Sequence, residues 1–328
     1  MTATSVARPA RGTRRERAAP GLPGGRVRSG TGRLRRERVG YWFILPTVAF
    51  FVVFLAYPLI RSFYISLHSW PGFGPEKWVG FRNFSAMFKD QVWRQSLVNT
   101  LIFTAATTVI TTALAMVVAA VLKAGWRFGV VFRVAIFIPA LLSLVVSGTL
   151  WGLIYEPSFG ILDQFLRSVG LHELSTSWLS NSHTVLPSII VVSIWQSVGF
   201  FMLIFYAGLQ DIDPELYEAA RIDGASVVSQ FRHVTVPMLR TVTSIVVTLN
   251  LINGLKTFDV IYVMTGGGPD HASDSLTTYL YSLAFGGQVA GAIPLIGYAT
   301  AIGVLVLVLA VIIVSAQLAI SARRRVTA

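Results

Sequence analysis

The sequence predicts an all-α protein that crosses a membrane several times. Hydrophobic residues make up 54% of the 328 residues and charged residues only 13%. The mean hydropathy is +0.65, far above that of a soluble domain. Apolar residues gather in six long stretches, and basic residues gather in alternate loops. Together these observations predict six transmembrane helices with both termini in the cytoplasm.

Residues 1–40 form a basic segment that is nearly free of large apolar side chains. Eleven arginines stand against Glu16 and Glu37, and glycine and proline are frequent. This composition predicts a disordered cytoplasmic tail whose charge keeps the N-terminus inside. A nucleic-acid-binding arm and an organelle transit peptide are the alternatives. A cleavable signal peptide is not expected, because the apolar run that follows is too long and lacks a small-residue cleavage site.

A transmembrane helix needs about 20 mostly apolar residues, and six stretches meet this requirement. Backbone polar groups in hydrocarbon must be satisfied within the segment, which favours helices, and the alternation of a membrane barrel is absent. The predicted spans are Tyr41–Leu67, Ser96–Leu122, Val130–Tyr155, Val185–Leu209, Met238–Met264 and Pro294–Ile320. They define a membrane domain over 41–320, followed by a cytoplasmic tail at 321–328.

The charges of the loops set the predicted orientation of the spans. With the N-terminus inside, the inner segments beyond the tail carry nine Lys and Arg residues, and the outer loops carry five. Cytoplasmic loops concentrate positive charge, so both termini are predicted to be cytoplasmic. The first outer loop, at 69–81, holds Trp70 and Trp78 among glycines and prolines, which is typical of a loop at the membrane interface.

The polar segment 211–237, between spans four and five, is predicted to form a helix–glycine–helix element in the cytoplasm. Asp213 is a favourable N-cap, and Pro214 suits the first helical position. Gly224 can adopt the left-handed backbone that ends a helix, and Ser226 can cap a second helix. Alanines on the first helix allow close approach, so the element could dock into a groove of a partner protein. Lying on lipid headgroups is the alternative.

This segment resembles the EAA loop of the permeases of binding-protein-dependent ABC importers. The family pattern is Glu-Ala-Ala, three residues, Gly, nine residues and an apolar close that ends in Pro. The chain has Glu218-Ala219-Ala220, Gly224 and Val234-Thr235-Val236-Pro237 at the same offsets. Its only departures are valines in place of Ile and Leu, which keep the apolar character.

The resemblance covers residues 40–320 and points to the carbohydrate branch, with its maltose and glycerol-phosphate permeases. Four further stretches resemble the same branch, namely Phe43–Ile60, Ser96–Ala106, Phe132–Ser143 and Phe258–Pro269. It implies a type I importer fold and the import of a sugar, oligosaccharide or polyol through a bacterial cell membrane by ATP-driven alternating access. The implied partners are a cytoplasmic ATP-binding subunit dimer, a second homologous permease and an extracytoplasmic solute-binding protein.

The resemblance also implies which residues couple the chain to the ATPase. By it, Glu218 would meet a basic residue of the ATPase, and Gly224 would allow the turn between the two helices. The implied coupling residues are Glu218, Ala219, Ala220, Asp223, Gly224, Ala225 and Pro237.

Polar residues inside the predicted spans are candidates for a carbohydrate pathway, because hydrocarbon makes them costly. The candidates are Asn250, Asn253, Lys256 and Asp259 in span five and Trp195 and Gln196 in span four. Three-residue spacing would align the span-five group on one helix face, and Lys256 and Asp259 could neutralise each other. Amides and charges can bind hydroxyls, and an indole can stack on a sugar ring. Helix–helix hydrogen bonds of the asparagines and snorkelling of Lys256 are the alternatives.

The sequence offers no catalytic or metal site. It lacks the pattern G-x-x-x-x-G-K-[ST], so ATP hydrolysis is expected in a separate subunit. There is no cysteine, and the five histidines lie at span ends or in loops without metal-ligand spacing. No Ser, His and Asp set converges in one pair of spans, and no cofactor is expected.

Three other classes of membrane protein remain as alternatives. A single-chain secondary transporter of a small polar solute would need a coupling carboxylate in mid-span, whereas Asp259 lies towards the outer end of its span. A membrane-embedded enzyme would need a catalytic set within the spans. A channel would need a selectivity ring built from several copies, which one chain does not exclude. Co-purification with an ATPase subunit separates the importer from all three.

Overall fold

The computed structural model describes residues 43–125, 129–171, 176–286 and 293–326. The basic tail predicted for residues 1–40 lies outside these ranges. The chain divides into two units, Met1–Tyr57 and Pro58–Ala328. The described part of the first unit is helical from Phe43 and includes a π-helical stretch at Val52–Ala56. All contacts given below lie within the second unit.

The described chain is mainly helical, which confirms the predicted fold class. In chain order the helices are α1 (Phe43–Ser66), α2 (Arg82–Met87), α3 (Gln91–Lys123), α4 (Gly129–Leu141), α5 (Leu144–Ile154), α6 (Ile161–Ser168), α7 (Val185–Gln210), α8 (Pro214–Ile222), α9 (Val227–Met238), α10 (Arg240–Leu255), α11 (Asp259–Thr265), α12 (Leu276–Phe285) and α13 (Ile296–Val326). A two-stranded antiparallel sheet pairs β1 (His68–Ser69) with β2 (Lys77–Trp78), and His68 stands opposite Trp78.

Four of these helices, α1, α3, α7 and α13, are long and apolar enough to cross a membrane unbroken. Two bent pairs of helices also pass the test of length and composition together, α4 with α5 at 100° and α9 with α10 at 72°. Counting each bent pair as one span gives up to six spans, which is compatible with the predicted number, and the second pair begins within the segment 211–237. The helices of predicted spans three and five are each interrupted, at Leu142–Ser143 and at Lys256–Phe258.

The bend in span three follows from local chemistry and from one long-range contact. Pro139 lies within the last turn of α4, where it weakens the continuation of the helix. Ser143 then caps α5, its Oγ accepting from the amide of Val146 at 3.2 Å. The carbonyl of Leu142, between the two helices, accepts a hydrogen bond of 3.0 Å from Nε2 of Gln196. The irregular backbone is therefore satisfied by protein rather than by water.

Span five also ends earlier than its apolar pattern predicts. Helix α10 stops at Leu255, and α11 begins only at Asp259. Between them the carbonyl of Thr257 accepts hydrogen bonds from Ser275 Oγ, at 2.9 Å, and from Thr277 Oγ1. These hydroxyls come from the N-cap and the first turn of α12, some twenty residues further along the chain, so the local sequence of the span does not reveal the break.

Several short elements at the ends of the spans were not predicted. Helices α2, α6 and α12 and the β1–β2 pair are all shorter than a membrane span. Apolar stretches of about 20 residues indicate membrane spans, but they do not reveal elements as short as these. At the other end of the chain, α13 continues to Val326, into the segment assigned to the C-terminal tail.

Helix α3 lies at the centre of the second unit, packed against α7 and α10. Its buried threonines Thr100, Thr104 and Thr107 donate to carbonyls four residues earlier, at 2.6–2.7 Å. The three threonines therefore form a face of small side chains on α3, and all three hydroxyls are hydrogen-bonded. Gly254 of α10 packs directly on that face, since a Cβ atom there would lie 2.8 Å from Thr104 Cα. Small residues of this kind allow close packing of membrane helices.

Gly199 of α7 allows close packing against the backbone of α4. Its replacement by alanine tests this packing. A Cβ atom there would lie 2.1 Å from the carbonyl oxygen of Ile136. We expect Gly199→Ala to lower the free energy of unfolding by about 1–3 kcal/mol, because the backbone of α4 must move. The measurement is thermal unfolding in detergent. Gly152→Ala is the control, because nothing lies within 4 Å of that position. Equal stability of the two variants would contradict the packing.

Candidate functional site

The segment 211–237 has the predicted helix–glycine–helix geometry. Asp213 caps α8, with its Oδ1 accepting from the amide of Glu215 at 2.9 Å. Gly224 has φ of +78°, the left-handed conformation that separates α8 from α9. Ser226 caps α9, its Oγ accepting from the amide of Ser229 at 3.3 Å. The backbone turn therefore depends on short-range signals that the sequence carries.

The coupling residues implied by the resemblance lie mostly on the surface of this element. Glu218, Ala219, Asp223 and Gly224 are exposed, whereas Ala220, Ala225 and Pro237 are half-buried. Sequence reasoning missed the apolar side chains next to them. These are Ile222, which is 86% exposed, together with the exposed Val227 and Val228. The tip of the element therefore combines a carboxylate with uncovered apolar surface, as a docking surface does.

Helix α8 is joined to the helices of the membrane body mainly through Tyr217. No residue of α8 is fully buried, but the Tyr217 ring packs against the core cluster that contains Leu209. Its hydroxyl shares a hydrogen bond of 3.0 Å with Thr235 Oγ1. Lys123 Nζ lies 5.2 Å from the centre of the same ring and donates to the carbonyl of Leu209, at the end of α7. Lys123 thereby connects α3, α7 and α8.

The sequence contained part of the signal for this connection. Lys123 is in the last turn of α3, where a cation favours the helix dipole and can bind free carbonyls. Which carbonyl it binds depends on the packing of α3 against α7, which the sequence does not state. Tyr217 stands in a charged stretch and was not singled out.

The four span-five candidates for a solute pathway do not share one helix face. Asn250 is buried and donates to the carbonyl of Val246 in its own helix, at 3.0 Å. Asn253 is exposed on α10, Lys256 follows the end of α10, and Asp259 begins α11. The expected alignment of all four is wrong because the helix is broken. Lys256 and Asp259 form none of the ion pairs present among the described residues.

The span-four candidates have contacts of their own. Gln196 is half-buried, and its amide donates to the Leu142 carbonyl at the bend of span three. Trp195 packs edge-to-face on Trp151, with ring centres 5.5 Å apart. Within the described ranges no hydrogen bond or ring contact joins either residue to Asn250, Asn253, Lys256 or Asp259. The structure thus gives Gln196 a role in supporting the backbone.

A cavity of about 730 Å³ with both apolar and polar walls opens between the N-terminal turns of α3 and α7 and the loop 266–275. Its polar lining includes Gln91, Gln95, Asn99, His183, Asp270 and His271. Asn99 holds the loop in place, because its amide lies 3.0–3.2 Å from the carbonyls of His271, Ala272 and Asp274. Sequence reasoning missed this cavity, since its walls come from three distant segments.

No group of three or more His, Asp and Glu side chains converges as a metal site in the described part of the chain. The candidate functional features are the α8–α9 element, its connection through Tyr217, and the polar side chains at helix breaks.

Known proteins share this sequence pattern over most of the chain. Residues 84–326 match the family described as binding-protein-dependent transport system inner membrane component. The probable ABC transporter permease protein YurN of Bacillus subtilis (strain 168) is 35% identical over 274 residues, covering 83% of this chain and 91% of that protein. The trehalose/maltose transport system permease protein MalF of Thermococcus litoralis is 32% identical over 251 residues, covering 76% and 84%.

A solved structure shares the fold. It is the crystal structure of a bacterial ABC transporter involved in the import of the acidic polysaccharide alginate, with a TM-score of 0.77 and 24% identity, covering 89% of this chain and 98% of that one. The bent spans and the EAA-like element thus occur in a chain whose sequence matches the transport family over 84–326. The chain therefore belongs to the family of inner membrane components of binding-protein-dependent transport systems.

Proposed function

We propose that the chain is the permease subunit of an ABC importer that carries a sugar, oligosaccharide or polyol across the cell membrane. The single observation that supports this most is the α8–α9 element, which matches the EAA pattern and presents Glu218 beside uncovered apolar side chains. The similarity to a trehalose/maltose permease supports the substrate class.

The proposed complex contains partners that this chain does not include. A dimer of cytoplasmic ATP-binding subunits grips the α8–α9 element, a second homologous permease completes the pathway, and an extracytoplasmic solute-binding protein delivers the carbohydrate. Both termini lie in the cytoplasm, as the distribution of basic residues favours. The exposed Ile222, Val227 and Val228 give the ATP-binding subunit an apolar surface to bury, and Glu218 gives it a charge to pair.

Movement of the element reaches the membrane helices through Tyr217 and Lys123. The Tyr217 ring contacts the core cluster, and Lys123 joins that ring to the ends of α3 and α7. Closure of the ATP-binding subunits displaces α8, and these contacts carry the displacement to both spans. This arrangement fits a bistable, rigidly packed body in which a local shift repositions whole helices.

The pathway for the solute includes Asn253, Lys256 and Asp259. All three are exposed near the break between α10 and α11, and they offer an amide, an ammonium and a carboxylate to carbohydrate hydroxyls. Trp195 supplies a half-buried aromatic edge on span four. Asn250 and Gln196 contribute to the pathway indirectly, because their amides donate hydrogen bonds to the backbone carbonyls of Val246 and Leu142.

Reversal of charge at Glu218 tests the docking of the ATP-binding subunit. We expect Glu218→Lys to reduce carbohydrate uptake at least about tenfold and to weaken co-purification with the ATP-binding subunit. The reason is that loss of one charge pair at an interface weakens the free energy of binding by about 2 kcal/mol or more. Membrane insertion should be intact, because the residue is exposed outside the spans. Glu215→Lys, on the same helix, is the matched control and should retain most uptake. Normal uptake by the Glu218 variant would contradict the proposal.

Truncation of Tyr217 tests the transmission of movement. We expect Tyr217→Ala to lower uptake about tenfold while co-purification with the ATP-binding subunit is unchanged, because α8 keeps its docking surface and loses its anchor. Tyr217→Phe keeps the ring contacts with Lys123 and the core, loses only the bond to Thr235 and should retain most uptake. Normal transport by the alanine variant would contradict the proposal that Tyr217 transmits the displacement of α8 to the membrane helices.

Replacement of the exposed pathway amide tests the route of the solute. We expect Asn253→Leu to raise the KM for uptake about tenfold without a change in thermal stability, because a lost hydrogen bond to the solute costs about 1 kcal/mol or more. Asn253→Gln keeps an amide and should preserve transport. Unchanged uptake and specificity in the leucine variant would remove this residue from the pathway.

A further inference from the structure

The segment between the end of α1 and the first turn of α3 has an unusual balance of charge. We call residues 67–94 the collar segment. It contains two acidic and four basic residues. The two acids are engaged in internal contacts, whereas the four bases are exposed.

Both carboxylates of the collar segment are occupied within the protein. Glu76 forms an ion pair with Arg61 near the end of α1. Asp90 accepts hydrogen bonds of 2.7 Å from the hydroxyls of Tyr279 and Tyr298, and its other oxygen caps α3. Burial raises the pKa of Asp90, but these hydrogen bonds outweigh it and lower the pKa below its usual value. The carboxylate is therefore charged at neutral pH and directed inwards.

The four cations have no ion-pair partner in the part of the chain that the structure describes. Lys77, Arg82, Lys89 and Arg94 are all exposed, and none of them takes part in the ion pairs found among the described residues. The exposed surface of the collar segment therefore carries four positive charges that no ion pair within the described ranges neutralises.

Large aromatic side chains lie between these cations along the chain. Phe73, Trp78, Phe81 and Phe88 are between 64% and 77% exposed. Uncovered aromatic surface marks a site of interaction with a membrane or a partner. Aromatic and basic side chains together are the combination that binds the interface of a membrane with anionic lipid.

The collar segment is held at the level where the spans end. Asn83 Nδ2 donates to the carbonyls of Ser66 and His68, at 2.8 and 2.9 Å, which fixes α2 against the end of α1. The amide of Gly297, in the first turn of α13, donates to the carbonyl of Trp70 at 3.0 Å. Contacts with the ends of α1 and α13 therefore fix the position of the collar segment relative to the membrane.

We propose that the collar segment lies on the bilayer surface and binds anionic lipid headgroups. The aromatic side chains enter the interface, and the four cations bind phosphate oxygens of phosphatidylglycerol or a similar lipid. An acidic partner protein would also suit the cations, but attachment to the ends of two spans favours the membrane. This surface is separate from the proposed coupling and pathway residues.

The first part of the test locates the collar segment in a bilayer. The chain has no cysteine, so Ser85→Cys on the exposed side of α2 gives a single site for a fluorophore. The full chain is reconstituted in vesicles of phosphatidylcholine and phosphatidylglycerol, and quenching is measured with a nitroxide on the lipid headgroup. We expect strong quenching. Quenching by aqueous iodide but not by the headgroup nitroxide would overturn the proposal and leave an acidic protein as the partner.

The second part tests the role of charge. Binding of spin-labelled phosphatidylglycerol relative to phosphatidylcholine is compared in a variant with Lys77→Gln, Arg82→Gln, Lys89→Gln and Arg94→Gln. Each cation near an anionic surface strengthens attachment about fivefold, so we expect the preference to fall at least about fivefold. The matched control exchanges Lys and Arg at the same four positions and should keep the preference. A glutamine variant with the preference of the parent chain would overturn the proposal.

Discussion

The architecture depends on the satisfaction of backbone carbonyls where helices end or break inside an apolar body. Gln196 binds the carbonyl of Leu142 at the bend of span three, Ser275 and Thr277 bind that of Thr257 beyond α10, and Lys123 binds that of Leu209 at the end of α7. Each donor comes from another part of the chain. Because hydrocarbon offers no water to such groups, broken helices persist only where these donors reach them.

The same constraint places the candidate functional residues. At the end of α7, Lys123 binds the Leu209 carbonyl and also contacts Tyr217 of α8, so the α8–α9 element is attached at a buried helix end that needs a hydrogen-bond donor. Beyond α10, the break leaves Asn253, Lys256 and Asp259 exposed around irregular backbone. Non-helical backbone within a membrane protein is tolerated where it is buried in protein or lines a cavity, which is where polar side chains can meet a solute.

Sequence reasoning succeeded where the determining interactions are short-range. Asp213, Pro214, Gly224 and Ser226 each act within about three residues, so the α8–α9 element was predicted with its turn and caps. It did not predict the hydrogen bond from Gln196 to the Leu142 carbonyl or the helix break that separates Asn250 from Asp259. The apolar stretches continue through the break in each span, and the donors at these breaks are 54 residues away in span three and 18 to 20 residues away in span five.

The amino-acid sequence by itself determined the membrane class and the helix–glycine–helix element at 211–237, because hydropathy sums along the chain and capping residues act locally. Only the tertiary structure decided where spans three and five break, that Asn99 holds the loop 266–275 beside a cavity, and that Tyr217 and Lys123 join α8 to two spans. The physical reason is that these features rest on hydrogen bonds and ring contacts between distant segments, whose partners are chosen by helix packing.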